Sequence, residues 1–265
     1  MTYGAPVWEE AITKQRFLRM MQSAQRLINI KIAKAYRTIS YEASCVMGGV
    51  PPIGIVIAGM VQLYKRKHGL ESREQECDMP MPVNKCPHPA RRITITETSD
   101  LTTYPIEIYT DGSEDEGKIG AGVVIYWNKQ LAAQCKYKLQ NCCSNNKAEQ
   151  IAVLKALQQI PKLGDLTDRI VAIYTDSKVT IDAIKNHSIH SKLVEEIRNN
   201  IRHLSAQRWV IHFGWVKAHI GIEGNEAADK LAKQAARDEN DQNIVYNRVP
   251  TTTVATEINK QRTIK

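Results

Sequence analysis

Four short stretches of the chain each contain one carboxylate at a position where a fold could bring all four together. They are Tyr-Thr-Asp-Gly-Ser at 109–113, Asn-Asn-Lys-Ala-Glu at 145–149, Tyr-Thr-Asp-Ser-Lys at 174–178 and Gly-Asn-Glu-Ala-Ala-Asp at 224–229. Asp111 and Asp176 follow strand-like runs and precede a turn, whereas Glu149 and Asp229 lie in the first turns of predicted helices. Carboxylates that lie close together repel one another and shift each other's pKa unless cations neutralise them. We therefore expect a divalent metal site.

The predicted helix that carries Glu149 shows how this residue could be a ligand. Glu149 lies on one stripe with Val153, Ala156, Leu157 and Ile160, so its carboxylate shares the inward face. A buried carboxylate is costly unless it is paired or binds metal, and no Arg or Lys shares that stripe. The alternative is a partly exposed first-turn glutamate that the helix dipole favours.

The other three acids also have purely structural explanations. Asp-Gly-Ser and Asp-Ser after a strand are common in turns and helix caps. Asp229 could pair with Lys233 one helical turn later. The joint occurrence of all four acids, in order and on the element types that the chemistry needs, favours the metal site.

Such a site is suited to phosphodiester hydrolysis. Two hard cations about 3.5 to 4 Å apart can activate water and stabilise the leaving oxygen. Mg²⁺ prefers oxygen ligands and retains several waters, so three or four carboxylates suffice. His219 lies in the loop between the last strand and the last helix of this region, where its imidazole could reach the metals and transfer protons.

The periodicity of the sequence divides the chain into four parts. Residues 1–70 predict a small all-helical segment, with helices over 11–36, 40–47 and 53–68. Residues 71–103 are polar and contain four prolines, which predicts a linker. Residues 104–240 contain three strands and then alternating helices and strands, which predicts an α/β domain with a mixed sheet flanked by helices. Residues 241–265 form a tail without a clear pattern.

The charge of the chain is unevenly distributed. Residues 1–70 contain 10 Lys and Arg against 3 Asp and Glu, whereas residues 105–240 contain 18 against 17. This asymmetry predicts that a polyanion is bound largely by residues outside the acid quartet. A solvated basic helix face is the alternative.

Composition also bounds the compartment. The six cysteines include no Cys-x-x-Cys pair and no amino-terminal signal segment is evident, so we expect an intracellular protein, nuclear or cytoplasmic and not secreted. The most apolar stretch, 51–64, is too short for a bilayer span and predicts a buried helix, so no membrane is expected as a partner.

The quoted stretches resemble the type 1 ribonuclease H family over about residues 104–237, together with the run 215–232 around His219. The resemblance implies a five-stranded mixed sheet in which the two aspartate-bearing strands are adjacent. It also implies endonucleolytic cleavage of the RNA strand of RNA–DNA hybrids. Two Mg²⁺ ions, for which Mn²⁺ can substitute, would be bound by Asp111, Glu149, Asp176 and Asp229.

The same resemblance implies roles for residues beside the acids. His219 would assist proton movement or product release. Asn145 and Asn146 would contact the hybrid, and Gly112 and Ser113 would lie against the RNA strand, whose 2′-hydroxyls distinguish RNA from DNA. The extra basic helix and loop that some members carry is missing, since only residues 186–191 occupy that interval. We therefore expect low hybrid affinity for this domain alone.

Residues 1–70 resemble the carboxyl-terminal part of the reverse transcriptase of a non-LTR retrotransposon, in the stretches 1–8, 35–45 and 48–52. No Tyr-x-Asp-Asp polymerase signature occurs in the sequence. The resemblance implies a polyprotein derivative without polymerase chemistry, in which the basic helical segment serves as a nucleic-acid handle. The alternative hypothesis is a catalytically weak nucleic-acid-binding remnant. A transposase or integrase on the same sheet architecture fits less well, because such enzymes usually use three acids.

Overall fold

The structure is a computed structural model that describes residues 2–68, 70, 77–78, 81, 84, 86–98, 103–164, 169–218, 220–238 and 243–263. The chain divides into two compact units. The first comprises Met1–Cys77 and Thr251–Lys265, and the second comprises Asp78–Pro250. These boundaries differ from the predicted ones, because parts of the predicted linker and tail belong to the second unit.

The secondary structure within residues 2–68 and 251–263 of the first unit is helical, which confirms the predicted helical segment. Its elements are a 3₁₀ helix (Thr2–Trp8), α1 (Glu9–Thr13), α2 (Gln15–Ala33), α3 (Tyr41–Gly48), α4 (Ile53–Lys67) and the carboxyl-terminal helix α9 (Thr251–Thr263). The helix predicted over 11–36 is interrupted at Lys14, which has an extended backbone. Just before it, the Thr13 hydroxyl donates to the Glu10 carbonyl at 2.7 Å and so competes with the helix for that acceptor.

The core of this unit is small. It consists of Ala5, Ile53, Ile57 and Val61, so α4 is buried along one face. No single helix in the described part of the chain is long and apolar enough to cross a membrane. The pair Tyr41–Gly48 and Ile53–Arg66 reaches that length and composition only jointly, with a bend of 70° between the two helices.

A mixed sheet forms the centre of the second unit. Its strands are β2 (Thr96–Thr98), β3 (Ile106–Asp115), β4 (Lys118–Trp127), β5 (Gln130–Leu139), β6 (Ile170–Thr175), β7 (Val210–Trp215) and β8 (Ile244–Tyr246). Within the described residues the sheet has seven strands in the order β2-β7-β6-β3-β4-β5-β8. Strand β4 is antiparallel to both of its neighbours, β3 and β5, and the remaining neighbouring pairs are parallel. The five central strands are the predicted ones, so the predicted fold class is confirmed.

The two edge strands were not predicted. Strand β2 comes from the predicted linker and pairs with β7, while Ile93 and Ile95 just before it pack against the core. Strand β8 comes from the predicted tail and pairs with β5. Both strands are three residues long, and a run that short carries too little alternation to stand out among prolines and charges. Two further short strands are β1 (Cys77–Asp78) and β9 (Val249–Pro250).

Helices cover both faces of the sheet. They are α5 (Asn145–Gln159), α6 (Lys178–Lys185), α7 (Lys192–Ala206) and α8 (Glu223–Arg237). Successive strand residues face opposite sides of a sheet. Accordingly, Ile108 packs in one core with Leu157 of α5 and Ile197 of α7, whereas its neighbour Tyr109 packs in another with Ala228 of α8. The sheet thus separates α5 from α8. A site that uses both helices must lie beyond the end of a strand, where side chains from the two faces can meet.

Candidate active site

Asp111 and Asp176 lie side by side where the parallel pairing of β3 with β6 ends. Asp111 is the sixth residue of β3, which continues to Asp115, so the prediction of a turn directly after Asp111 is wrong. Strands β3 and β6 pair in parallel, and Thr110 is opposite Thr175. The next residue on each strand is one of the two aspartates, so the register places their backbones next to each other. The Thr110 hydroxyl also donates to the Tyr174 carbonyl at 3.1 Å across the same pair of strands.

Glu149 comes from α5, and a glycine allows that helix to approach. A Cβ atom on Gly112 would lie 2.4 Å from the Glu149 nitrogen and 2.7 Å from the Ala148 carbonyl carbon. Only glycine therefore permits the first turns of α5 to rest on β3 directly beyond Asp111. Burial raises the pKa of Glu149, and the Gly112 backbone lowers it by a smaller amount.

Asp229 comes from α8 on the opposite face, where a second glycine has the same effect. Gly122 is the cross-strand partner of Asp111. A Cβ atom on Gly122 would lie 2.2 Å from the Ala228 carbonyl oxygen, so the α8 backbone rests on β4 beside Asp111. Asp229 forms a salt bridge of 2.7 Å with Lys233, as the i,i+4 spacing suggests.

Three of the four acids converge closely enough to share metal ions. One carboxylate oxygen each of Asp111, Glu149 and Asp176 lies within 4.8 Å of the other two. Asp111 and Glu149 are buried and Asp176 is half-buried. Asp229 borders the same cleft but stands outside that tight group of three.

The environment raises the pKa of the two buried acids. Burial, and then the charges of Asp176 and Asp229, raise the pKa of Asp111 to about 8, which Lys233 opposes. Burial, and then the charges of Asp111 and Asp176, raise the pKa of Glu149 to about 9. Perturbation of this kind, from desolvation combined with specific charges in a cleft, is typical of functional sites.

These residues fit divalent cations. Glu149 Oε2 is buried and has no hydrogen-bond partner among the described residues. A buried carboxylate oxygen normally accepts a hydrogen bond, and this one instead faces two other carboxylates. Hard divalent cations prefer such oxygen ligands.

An open cleft of about 710 Å³ contains all of the predicted site residues that the structure describes. Besides the four acids, it is lined by Gly112, Ser113, Asn145 and Asn146. Asn145 and Asn146 are exposed, whereas Gly112 and Ser113 are buried. His219 lies outside the described residues.

The cleft also contains residues that were not assigned to the site from the sequence. They are Glu114, Glu116, Gly117, Ser177, Ala218 and Lys233. Lys233 carried a usable signal, since it lies one helical turn after Asp229. Ser177 accepts a hydrogen bond from the Thr180 nitrogen at 3.3 Å and so caps α6 directly after Asp176.

Comparison with known proteins identifies the family. The RNase H family model matches residues 104–237, which is half of this 265-residue chain. The chain belongs to the RNase H family. It is therefore a ribonuclease H by enzyme class, and the buried acid cluster is compatible with the divalent metals that this family generally uses.

Relatives of this ribonuclease H include bacterial and human proteins. Ribonuclease H of Hyphomonas neptunium is 31% identical over 140 residues, covering 49% of this chain and 90% of that protein. Ribonuclease H of Rickettsia typhi is 32% identical over 151 residues, covering 49% and 89%. Human Ribonuclease H1 is 27% identical over 187 residues, covering 65% and 63%.

Solved structures of similar proteins each cover about half of the chain. LC11-RNase H1 in complex with an RNA/DNA hybrid is 26% identical, with a TM-score of 0.41, covering 49% of this chain and 96% of that chain. RNase H1 from Halobacterium salinarum is 20% identical, with a TM-score of 0.39 and the same coverage.

Proposed function

We propose that this chain hydrolyses the RNA strand of RNA–DNA hybrids as an endonuclease that uses two Mg²⁺ ions, with Mn²⁺ as a substitute. The observation that carries the proposal is the convergence of Asp111, Glu149 and Asp176 within 4.8 Å at the edge of the sheet. Asp229 borders the same cleft from the other face. The four acids would hold the ions, which when bound would activate water and stabilise the leaving oxygen.

The reaction adds water across a phosphodiester bond. The water oxygen bonds to phosphorus, and the 3′ oxygen leaves and takes up a proton, so the products end in a 5′-phosphate and a 3′-hydroxyl. His219 would assist this proton movement. The paired strands β3 and β6 fix the positions of Asp111 and Asp176. Helices α5 and α8, which pack closely against Gly112 and Gly122, fix those of Glu149 and Asp229.

The rim of the cleft would bind the hybrid. Asn145 and Asn146 are exposed in the first turn of α5, where side-chain amides and backbone N–H groups can donate to phosphate oxygens. Gly112 and Ser113 would lie against the RNA strand. Contacts to 2′-hydroxyl groups would then select RNA over DNA.

The test is cleavage of a hybrid with internally labelled RNA by the purified chain in Mg²⁺. We expect internal cuts that EDTA prevents. Asp111→Asn and Asp176→Asn should each lower the rate more than about a hundredfold, because a metal-ligand charge worth several kcal/mol in the transition state is removed. The control is Asp182→Asn, an exposed aspartate on α6 outside the cleft, which should cut at the wild-type rate. Wild-type cutting by the Asp176→Asn chain would refute the assignment.

A catalytically weak nucleic-acid-binding remnant is the second candidate. Residues 105–240 contain 18 basic and 17 acidic residues, so this domain attracts a polyanion poorly. Weak attraction of the substrate favours weak catalysis. Hybrid binding without cleavage in either Mg²⁺ or Mn²⁺ would support this candidate over the nuclease.

We further propose that the chain derives from a non-LTR retrotransposon polyprotein and acts inside the cell, in the nucleus or the cytoplasm. The support is the similarity of the stretches 1–8, 35–45 and 48–52 to the end of a reverse transcriptase, together with six cysteines that include no Cys-x-x-Cys pair. Fractionation of cells that produce the chain tests this location. Detection of the chain in the culture medium would contradict it.

A further inference from the structure

Lys147 forms a buried salt bridge with a residue outside the region that matches the family. Lys147 lies in the first turn of α5, directly after Asn146. Its ammonium contacts Asp78 Oδ2, and the exposed fractions of the two side chains are 13% and 4%. Its Nζ also donates to Gln150 Oε1 at 3.3 Å. Asp78 lies upstream of residue 104, where the match to the family begins.

A second segment outside the matched region contacts the residues directly before α5. The Gln140 N–H donates to the Tyr246 carbonyl at 2.9 Å, and Cys143 Sγ lies 3.6 Å from that carbonyl oxygen and 3.6 Å from the Arg248 carbonyl oxygen. Burial, and then the nearby charge of Asp78, raise the pKa of Tyr246. The residues that lead into α5 are therefore enclosed by Asp78 and by the stretch that begins with β8.

The salt bridge and Gly112 hold opposite sides of one helical turn. Residues two positions apart on an α-helix point about 200° apart around its axis, so Lys147 and Glu149 face in nearly opposite directions. On the Glu149 side, the backbone rests on Gly112 with no room for a side chain. On the Lys147 side, a charge pair removed from water has strict geometric requirements, since each partner would otherwise be buried without its counterion.

We propose that Asp78 and Lys147 are positioning residues for the catalytic cleft, and that the working nuclease extends beyond residues 104–237 to include Asp78 and strand β8. The pair fixes the turn that presents Asn145, Asn146 and Glu149. This inference rests on the proposed function of the cleft. Asp78 and strand β8 lie outside the matched region, whereas Lys147 lies within it.

The test compares three full-length variants, Asp78→Asn, Lys147→Met and the double variant. Each single variant leaves a buried charge unpaired, so its thermal midpoint should fall. The double variant leaves no unpaired charge, so its midpoint should return close to the wild-type value. If the pair positions the cleft, all three should raise KM for the hybrid about tenfold, the usual scale for a supporting contact.

Two further measurements separate positioning from stability. Glu195→Gln breaks another buried ion pair, that of Glu195 with Arg198 on α7, which does not line the cleft. It should lower the midpoint and leave KM unchanged. Hybrid affinity in EDTA and the Mg²⁺-induced rise in midpoint report on Asn145, Asn146 and Glu149 without any cleavage, and both should be weaker in the double variant.

Wild-type KM and Mg²⁺ response in the double variant, with the midpoint restored, would show that the pair serves stability alone and would overturn the proposal. A wild-type chain that binds hybrid and Mg²⁺ but never cuts would refute the nuclease assignment instead. In that case the two binding measurements still decide whether Asp78 and Lys147 position the cleft.

Discussion

Asp111 combines burial with two acidic neighbours, and this has a measurable cost in the absence of metal. Its pKa of about 8 in the folded chain lies well above the ordinary value of 3.8. Between these pH values the folded state retains a proton that the unfolded state releases. The contribution of Asp111 to stability therefore becomes more unfavourable as pH rises through this interval.

We predict that Asp111→Asn stabilises the chain in EDTA, and more so at high pH. The gain in the free energy of unfolding should be about 1 to 2 kcal/mol at pH 5 and about 4 to 5 kcal/mol at pH 8, because the variant carries no charge there to bury. Denaturant unfolding at the two pH values measures it. Mg²⁺ should reverse the order, since only the wild type keeps the full ligand set. An equal gain at both pH values would contradict this account, and Asp182→Asn serves as the control.

At the scale of elements, two glycines decide how closely the helices approach the sheet. Gly112 lets α5 rest on β3, and Gly122 lets α8 rest on β4, so acids from both faces reach one edge. The helix backbones leave little freedom at these contacts, because folded interiors are close-packed and transmit small displacements.

We predict that Gly112→Ala displaces the first turns of α5. Its Cβ would lie 2.4 Å from the Glu149 nitrogen, so the helix must move or the strand must bend. The expected cost is about 1 to 3 kcal/mol of stability, as for other overpacked sites. The cleavage rate should fall at least about tenfold, because Glu149 shifts with the turn. For the same reason, the Mg²⁺-induced rise in thermal midpoint should fall by about half.

The matched control is Gly214→Ala on β7. Its Cβ would meet the Tyr174 ring at 2.4 Å, so the overpacking is comparable but lies outside the cleft. This variant should lose stability and keep its response to Mg²⁺ at temperatures where it is folded. If both alanine variants bind Mg²⁺ like the wild type, close approach at Gly112 does not position Glu149.

At the scale of the whole molecule, charge and catalysis are assigned to different parts of the chain. Residues 1–70 carry most of the basic surplus, whereas residues 105–240 are nearly balanced. On α2, Arg16, Arg19 and Lys31 are exposed. We propose that the basic residues of 1–70 attract a polyanionic substrate.

We predict that the triple variant Arg16→Gln, Arg19→Gln, Lys31→Gln weakens hybrid binding at low salt and leaves kcat unchanged. Each lost phosphate contact should reduce the slope of log affinity against log salt concentration by about 1. Titrations at several salt concentrations measure that slope. The control neutralises Lys129, Lys162 and Lys192, which are exposed in the second unit. Equal slopes for wild type and the α2 variant would show that this helix is a solvated face and not a nucleic-acid handle.

The sequence by itself determined the types and order of the four acids and the elements that carry them. The apolar run up to Thr175 marks the end of β6, and the alternation up to Thr110 marks the part of β3 that pairs with it, although β3 continues to Asp115. Both signals are local. The stripe that includes Glu149 is equally local. For this reason the helical first segment, the mixed sheet and the four acids could be predicted from local signals, whereas Gly112, Ser113, Asn145 and Asn146 were implied only by the resemblance to the family.

Only the tertiary structure decided which distant residues complete that framework. Strands β2 and β8, the seating of α8 on Gly122 and the salt bridge from Asp78 to Lys147 all depend on partners far away in the chain. The segment 71–103 carries no periodic signal, and its described residues 96–98 form a strand only because β7 offers them a pairing edge. The raised pKa values of Asp111 and Glu149 likewise follow from burial and convergence, which exist only once the chain has folded.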